Sequence, residues 1–202
     1  MKRYGPHAVT NRSIEHPEVD ALASLAPVSI LYSDPPWGDG AMKFWATMAQ
    51  KQAGATVKAL PYTALLDRLM DLGTRYVNGY VMLETGKKWE DQLRAVMQDH
   101  FHNVRAFTLT YRDSGKDRPS SLVIGSTRAD LTYPGDPTGL SGYKAVRDSI
   151  AAVSQPGQVV LDPCCGFGHT ARAALDLGLY FRGNELNAKR LEKTEARLAR
   201  VA

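Results

Sequence analysis

A strand-like apolar run at Gln158–Asp162 leads directly into a turn with two glycines, Pro163–Gly168, and a helical pattern follows at Thr170–Leu177. This order of strand, glycine turn and helix is typical of α/β sheets, and the missing side chains let a ligand approach the backbone at the turn. The next strand is predicted at Tyr180–Asn184 and a closing amphipathic helix at Ala188–Arg200. The C-terminal part is therefore predicted to form a β-α-β-α unit with a ligand site at its first turn.

The remainder of the chain also alternates between short apolar runs and longer helical patterns, which predicts an α/β fold. The predicted strands are Val28–Tyr32, Tyr76–Leu83, Phe101–Tyr111 and Ser121–Ile124, and the predicted helices are Ala41–Gln52, Tyr62–Leu72, Trp89–His100 and Ala145–Val153. The polar turn 113–119 joins two of these strands as an antiparallel hairpin. We expect a mostly parallel sheet with this hairpin and with helices on both faces.

The chain has 202 residues, which suits one domain, and its 44% hydrophobic and 23% charged residues are ordinary for a globular protein. A net charge of +4 permits a polyanionic partner without requiring one. Cys164 and Cys165 are adjacent, so neither a disulfide framework nor a metal site is expected. No apolar leader or membrane-length segment is visible, and we expect a cytoplasmic protein without membrane contact.

An acidic residue, Glu185, follows the strand after the glycine turn, where a doubly wound fold places the carboxylate that binds the ribose hydroxyls of a nucleoside cofactor. A dinucleotide fits poorly, because its fingerprint requires a further glycine at Ala171 or Arg172 and Asp162 would repel pyrophosphate. A sulfonium cofactor fits better, since Asp162 can attract the methionine ammonium of S-adenosylmethionine. The alternative is that the glycines only make a tight strand-to-helix turn.

The strand Val28–Tyr32 is followed by a second motif, Asp34-Pro35-Pro36-Trp37. Both prolines fix their φ angles and lack an N–H, so the loop is stiff and rich in acceptors. The exocyclic amine of a base offers two N–H donors, which Asp34 and the backbone carbonyl of Pro35 can accept while Trp37 supplies a ring face for the base. Taken alone, the tetrapeptide is equally well explained as a turn with a core tryptophan. The presence of the cofactor motif in the same chain favours the catalytic interpretation.

The two motifs, in this order, resemble those of the β group of DNA amino-methyltransferases, which is circularly permuted so that the catalytic loop precedes the cofactor loop. The family's D-P-P-Y or D-P-P-W motif is matched by Asp34–Trp37, and its D-P-F-x-G-S-G motif is matched at Asp162, Pro163, Gly166 and Gly168. The resemblance implies a Rossmann-like, S-adenosylmethionine-dependent methyltransferase fold with a seven-strand-type sheet. It also implies methylation of adenine N6, because the S-P-P-Y form goes more often with cytosine.

The resemblance spans nearly the whole chain. Leu179–Asn187 resembles the family's ribose-binding strand, and His7–Asn11 resembles its short adenine-binding strand. Cys164 stands where the family has an aromatic residue, and Lys144 stands where it has the lysine of a Lys-Pro pair, which makes Lys144 a candidate substrate-binding residue. The cofactor-binding candidates are then Asp162, Pro163, Cys164, Gly166, Gly168, Glu185, Asn187 and Asn11.

A target-recognition domain is nearly absent, because the core elements use up most of the stretch 37–161. We expect a single domain over 1–202 with an N-terminal segment 1–27, a catalytic half 28–127, a loop for substrate contact at 128–144 and a cofactor half 145–202. The spare basic residues available for phosphates are Arg112, Lys116, Arg118, Arg128 and Lys144, and neighbouring aspartates dilute their charge.

Three hypotheses about target recognition remain open. The protein recognises a very short DNA target, or a partner or a second subunit (a homodimer) supplies recognition, or the substrate is an RNA recognised by its shape. DNA adenine is favoured and RNA adenine is the runner-up, because D-P-P-W also occurs in RNA relatives while the Gly166-x-Gly168 loop fits the DNA group better. A nucleic-acid-binding pseudo-methyltransferase in a heterodimer is the non-enzymatic alternative. A protein-glutamine methyltransferase ranks low, because that family has N-P-P-Y and position 34 is Asp.

Overall fold

A computed structural model describes residues 1–53, 57–113 and 115–200. Within these ranges one sheet contains the strands β1 (Lys2–Tyr4), β2 (His7–Thr10), β3 (Val28–Ser33), β4 (Val77–Gly86), β5 (His102–Asp113), β6 (Lys116–Ser126), β7 (Val159–Asp162) and β8 (Tyr180–Asn184). The helices are α1 (Pro17–Ala23), α2 (Gly38–Ala53), α3 (Tyr62–Tyr76), α4 (Glu90–Gln98), α5 (Gly142–Ala151), α6 (His169–Asp176) and α7 (Ala188–Leu198). None of the helices in these ranges is long and apolar enough to cross a membrane.

The strand order β1-β2-β8-β7-β3-β4-β6-β5 places the strands of the two sequence motifs side by side. Strands β2, β8, β7, β3 and β4 run parallel, whereas β1 and the β5–β6 hairpin pair antiparallel at the two sides. Because the carboxyl ends of parallel strands meet at one edge of the sheet, the segments after β3, β7 and β8 come together there. These segments carry Asp34, Gly166 and Glu185.

Alternating side chains of the central strands pack into one hydrophobic cluster on each face of the sheet. Leu31 and Leu161 belong to the cluster covered by α1, α3 and α4. Ile30 and Val160 belong to the opposite cluster, which is covered by α5, α6 and α7. The predicted α/β fold, with a mostly parallel sheet, an antiparallel hairpin and helices on both faces, is confirmed.

Some elements differ from the sequence expectation. The described sheet has eight strands, whereas a seven-strand type was expected, and β1 is the additional strand. The sequence shows no alternation of apolar and polar residues at β1, because most of its side chains are exposed. Helix α1 was not predicted because its 7 residues, starting at Pro17, are too few for a clear helical period. Strand β6 begins at Lys116 rather than Ser121, since its first residues are exposed and polar. The hairpin turn is therefore shorter than predicted, with Asp113 paired to Lys116.

The stretch 128–144 was expected to be a spare loop, but its last residues form the first turn of α5, which begins at Gly142. The remaining segment, 128–141, packs along the outer edge of β5. Gly139 N donates to Thr108 O, and Thr110 N donates to Leu140 O, both at 2.9 Å. These bonds satisfy backbone groups of an edge strand that would otherwise be open to pairing with another chain. A contact between this segment and a substrate stays a prediction.

Gly79 of β4 lies against the backbone of β3, where the register shifts between Val28 and Ile30. A Cβ atom at position 79 would lie 2.3 Å from the carbonyl oxygen of Ser29. We expect Gly79→Ala to lower the free energy of unfolding by about 1–3 kcal/mol in a urea titration, because one of the paired strands must shift.

Gly40→Ala in α2 is the matched control, since no atom lies within 4 Å of its added Cβ. Alanine is the better helix former, so this variant should be as stable as the wild type or more stable by up to about 1 kcal/mol. Equal stability of the two variants would contradict the close approach of β3 and β4 at Gly79.

Candidate active site

A pocket of about 500 Å³ lies at the carboxyl edge of the sheet, where the segments after β3, β7 and β8 meet helix α2. Such a volume is typical of sites for ligands of drug or cofactor size. Residues of both sequence motifs line the same pocket, namely Asp34, Pro35, Pro36, Trp37, Pro163, Cys164 and Glu185. The strand order therefore brings together two loops that are far apart in the sequence.

The catalytic loop is held by contacts of its own tryptophan. The indole Nε1 of Trp37 donates to Asp34 Oδ1 at 3.1 Å, and the ring packs on Gly86, where an added Cβ would lie 2.9 Å from Trp37 Cε3. Tyr111 meets the Trp37 ring edge-on, with 5.4 Å between the ring centroids. The bond from Trp37 uses one oxygen of the Asp34 carboxylate, which keeps acceptor capacity on the other.

Solvent reaches the Asp34 carboxyl through the pocket, although protein atoms surround it closely. This removal from bulk water raises the pKa of Asp34 to about 6, while the hydrogen bond from Trp37 and the charge of Arg190 act in the opposite direction. Asp34 is therefore mostly ionised at neutral pH, so both of its oxygens act as acceptors only. A pKa near neutral also suits transient uptake of a proton.

Glu84 is a second carboxyl at this edge, and the sequence analysis missed it. It follows Leu83, which pairs with Ser33, so it stands opposite Asp34 on the neighbouring strand. The hydroxyl of Tyr32 donates to Glu84 Oε1 at 2.6 Å. Burial, aided by the charge of Asp34, raises the pKa of Glu84 to about 8, so the group holds a proton at neutral pH. A glutamate inside an apolar strand was the signal available in the sequence.

The cofactor loop is pinned by Glu185. Gly166 N donates to Glu185 Oε2 at 2.7 Å, and Asn187 N donates to Oε1 at 2.8 Å. Gly166 and Gly168 have positive φ angles of 50° and 79°, and an added Cβ at Gly168 would lie 2.5 Å from Thr194 Oγ1. Larger side chains are strained at both positions, which explains the two glycines. Each Glu185 oxygen keeps a second lone pair for a ligand hydroxyl.

Asp162 lies beneath the cofactor loop and is not among the residues that line the pocket. It is 3% exposed, and its Oδ1 accepts from Ser33 Oγ at 2.8 Å and from Cys164 N at 3.1 Å. Burial raises the pKa of Asp162 to about 7 in spite of these hydrogen bonds. The structure gives Asp162 a part in joining β7 to β3, and its attraction for a methionine ammonium stays a prediction.

Asn11 and Asn187 hold the segment that follows β8 and carries Glu185. Asn11 Nδ2 donates to the carbonyl oxygen of Glu185 at 2.6 Å, and Asn187 Oδ1 accepts from Arg190 N at 3.1 Å as the N-cap of α7. Neither residue is among those that line the pocket, and the same holds for the two glycines of the loop. Direct contact of Asn11 or Asn187 with a cofactor stays a prediction.

The predicted substrate-binding cations lie outside the pocket wall. Lys144 is exposed on α5 and is paired with an aspartate one turn later. Arg112 pairs with Asp117 at 3.3 Å in the β5–β6 hairpin, and Lys116 and Arg118 lie in the same hairpin. The three hairpin cations thus lie on a surface element next to Tyr111 rather than in the pocket. Contact of these three residues or of Lys144 with a substrate stays a prediction.

The sequence analysis also missed other residues that line the pocket, among them Trp45, Tyr111 and Arg190. Trp45 and Arg190 fit the ordinary amphipathic patterns of α2 and α7, and Tyr111 fits the pattern of a strand. In the structure Tyr111 is 45% exposed, unusual for an aromatic residue of a strand. The neighbouring elements, rather than local sequence, bring these side chains to the pocket.

Comparison with solved structures finds the same architecture in several proteins. M1.HpyAVI in complex with SAM matches with a TM-score of 0.67 and 15% identity, over 94% of this chain and 98% of that chain. TTHA0409 of Thermus thermophilus, complexed with S-adenosyl-L-methionine, matches with a TM-score of 0.67 and 16% identity, over 96% of this chain and 93% of that chain.

PvuII DNA methyltransferase, named as cytosine-N4-specific, matches with a TM-score of 0.64 and 11% identity, over 89% of this chain and 83% of that chain. No protein-family model matches the chain. The protein thus has the Rossmann-like fold of these methyltransferase structures, as the sequence resemblance implied.

The protonated Glu84 predicts an unusual dependence of stability on pH. Its pKa rises from 4.5 to about 8 on folding, so the unfolded chain releases this proton first and the folded state loses stability as the pH rises between these values. Glu84→Gln has no proton to lose and still offers an amide oxygen to the Tyr32 hydroxyl. We therefore expect the Tm of Glu84→Gln, relative to wild type, to increase from about pH 5 to about pH 8.

Differential scanning fluorimetry across this pH range measures the difference, with Glu15→Gln as the control for the loss of one carboxylate from an exposed position. A Tm difference that is the same at both ends of the range would show that Glu84 ionises normally in the folded protein.

Proposed function

We propose that the protein transfers a methyl group from S-adenosylmethionine to the exocyclic N6 amino group of adenine in DNA. The observation that carries the proposal is that a single pocket is lined by the Asp34–Trp37 loop and by Pro163, Cys164 and Glu185. The order of the two motifs along the chain supports membership of the β group of DNA amino-methyltransferases.

The pocket residues fit S-adenosylmethionine. Glu185 retains lone pairs for ribose hydroxyls, and it lines the same pocket as the catalytic loop. The carboxylates of Asp34 and Glu185 favour a positively charged ligand. When bound, the cofactor supplies a methyl group on a sulfonium. Two proteins of the same fold, M1.HpyAVI and TTHA0409, were crystallised with it.

The catalytic loop supplies acceptors for an amino group with two hydrogens. Such a nitrogen is a weak nucleophile, because its lone pair is delocalised into the base. Asp34 accepts one N–H and the backbone carbonyl of Pro35 accepts the other, which holds the nitrogen toward a tetrahedral geometry. Transfer would form an N–C bond while the bond between the methyl group and the sulfonium sulfur breaks, which leaves a neutral thioether. The nitrogen would then lose one proton to Asp34 or to water, and the pKa of Asp34 near 6 allows that proton to be released again.

Two aromatic rings are available for the target base. Trp37 and Tyr111 meet at 70° and form a corner of the pocket wall. A base of a duplex must be flipped out of the stack before its amino group can reach the pocket, and an aromatic ring compensates part of the lost stacking. Tyr111 lies on the same hairpin as Arg112, Lys116 and Arg118, which supports a nucleic-acid strand on that side.

DNA is proposed as the polymer because PvuII DNA methyltransferase shares the fold and TTHA0409 is named as a candidate DNA modification methylase. The cytosine-N4 specificity in the PvuII name supports cytosine N4 as the second candidate. Adenine is preferred because position 34 is Asp, as in the D-P-P-Y and D-P-P-W motifs of the resemblance. An RNA substrate, and recognition by a partner or a second copy, stay predictions.

Incubation of the purified protein with methyl-labelled S-adenosylmethionine and, separately, duplex DNA, single-stranded DNA and total RNA tests the proposal. We expect nucleoside mass spectrometry to find the label in N6-methyladenine from DNA. Asp34→Ala should lose at least about 100-fold in rate, because an acceptor of the reacting amine is removed. Asp67→Ala, which removes an exposed carboxylate from α3, should keep full activity.

Label in N4-methylcytosine would establish the second candidate instead. Label in RNA with inert DNA would overturn the choice of polymer. Binding of the cofactor without any transfer would favour a pseudo-methyltransferase.

The pKa of Asp34 predicts the acid side of the pH profile. Below its pKa of about 6 the carboxyl takes up a proton and can no longer accept the amine hydrogen. We expect kcat/KM on DNA to fall by about tenfold per pH unit below that value and to level off above it. Cofactor binding and circular dichroism at each pH exclude unfolding as the cause, and a constant kcat/KM down to about pH 5 would contradict titration of a required Asp34 carboxylate near pH 6.

A further inference from the structure

Arg190 occupies a place in the pocket that the proposed transfer does not use. Its guanidinium carbon lies 4.3 Å from the ring centroid of Trp45 and 4.7 Å from that of Phe167. Its Nη2 lies over the cofactor loop, 2.6 Å from the point where a Cβ of Gly166 would stand. Contacts with ring faces hold a guanidinium while its N–H groups, which lie in its plane, stay available for an acceptor.

The guanidinium of Arg190 makes no hydrogen bond or ion pair with any other residue that the structure describes. Among the described residues its buried Nε has no hydrogen-bond partner. The other cations of the pocket wall differ, because Arg12 pairs with Glu18 at 3.2 Å and Lys58 lies where the pocket continues into a neighbouring cleft beside Leu186. Arg190 is thus the pocket cation that stands over the cofactor loop with donors free for an anion.

S-adenosylmethionine has two positive groups, its sulfonium and its ammonium, and one negative group, its carboxylate. Asp34 and Glu185 suit the positive part of such a ligand, whereas an arginine in the same pocket repels it unless the arginine meets the carboxylate. A guanidinium binds a carboxylate through two parallel N–H···O bonds.

We infer that Arg190 binds the carboxylate of the cofactor's methionine end above Gly166 and thereby selects ligands with an intact amino-acid group. This inference rests on the cofactor of the proposed function. It also gives the methionine end a partner on the pocket wall, where Asp162 is absent because it is buried beneath the loop.

A phosphate of the nucleic acid is the rival anion. The carboxylate is favoured because Arg190 is half-buried, with Trp45 and Phe167 against its guanidinium and the cofactor loop below it. A phosphate backbone follows the outside of a protein, whereas Arg190 lines the same pocket as Glu185, the proposed partner of the cofactor's ribose.

Isothermal titration calorimetry without nucleic acid tests the inference. The ligands are S-adenosylmethionine and its decarboxylated analogue, which differ at the carboxylate, and the proteins are wild type, Arg190→Ala, Arg190→Lys and Lys189→Ala. Lys189→Ala removes the same charge from the neighbouring exposed position of α7 and serves as the control.

We expect wild type and Lys189→Ala to prefer S-adenosylmethionine over the analogue by roughly 10- to 100-fold. Arg190→Ala should lose most of this preference through weaker binding of S-adenosylmethionine alone. Arg190→Lys keeps the charge without the planar fork and should retain an intermediate preference, which keeps the test valid if the alanine variant does not fold.

Equal weakening of both ligands in Arg190→Ala would overturn the inference and leave Arg190 a packing role. An unchanged preference with weaker binding of DNA in a separate titration would overturn it in favour of a phosphate contact. Failure of the wild type to bind S-adenosylmethionine would overturn the proposed function itself, which separates the two failures.

Discussion

The hydrogen bond from Ser33 to Asp162 joins the ends of the two strands that carry the site. It is 2.8 Å long and links residues 129 positions apart in the sequence. Both partners are buried, and the same Asp162 oxygen also accepts from the first turn of the cofactor loop at Cys164. Because β3 and β7 are neighbours in a parallel sheet, this one carboxyl group fixes the start of the catalytic loop relative to the start of the cofactor loop. The pocket between the loops depends on that spacing.

Four carboxyl groups lie close together at the same edge of the sheet, where their hydration is reduced. Partial loss of hydration raises the pKa of Asp34, burial raises the pKa of Glu84, Asp162 and Glu185, and mutual proximity adds to the effect at Glu84 and Asp162. A folded chain gains nothing in stability from such a cluster, since every ionised member loses hydration. A positively charged ligand lowers this cost, and the charge of Arg190 already does so at Asp34 and Glu185. The electrostatics therefore agree with a site that binds a cation beside a carboxylate-binding arginine.

Sequence patterns predicted the strands β3, β7 and β8 and both loops. Strands β3 and β7 are short apolar runs that prolines terminate, and β8 was predicted from its place after the helix that follows the glycine turn. Sequence patterns did not predict β1, whose exposed residues gain their structure only by pairing with β2. Tyr111 and Arg190 were missed for a related reason: each fits its own strand or helix pattern, and the pocket contact depends on a neighbour distant in sequence. Glu84 was visible as a polar residue in an apolar strand, but its partner Tyr32 is set by strand order. Chemistry that lies within one loop could be found from sequence, and chemistry assembled across strands could not.

Under the proposed function, the β5–β6 hairpin is the described element best placed to contact a substrate strand, because it brings Tyr111 to the pocket. The segment 128–141, otherwise the longest stretch without a helix or strand, is committed to covering the edge of β5. The hairpin, by contrast, carries exposed residues at its free end and places Tyr111 at the pocket beside Trp37. Arg112 and Asp117 of the hairpin pair at 3.3 Å, and this ion pair offsets part of the hairpin's positive charge. For the proposed nucleic-acid substrate, such a surface would give only weak phosphate contacts, and stacking of the base between Trp37 and Tyr111 would contribute a correspondingly larger share of the binding.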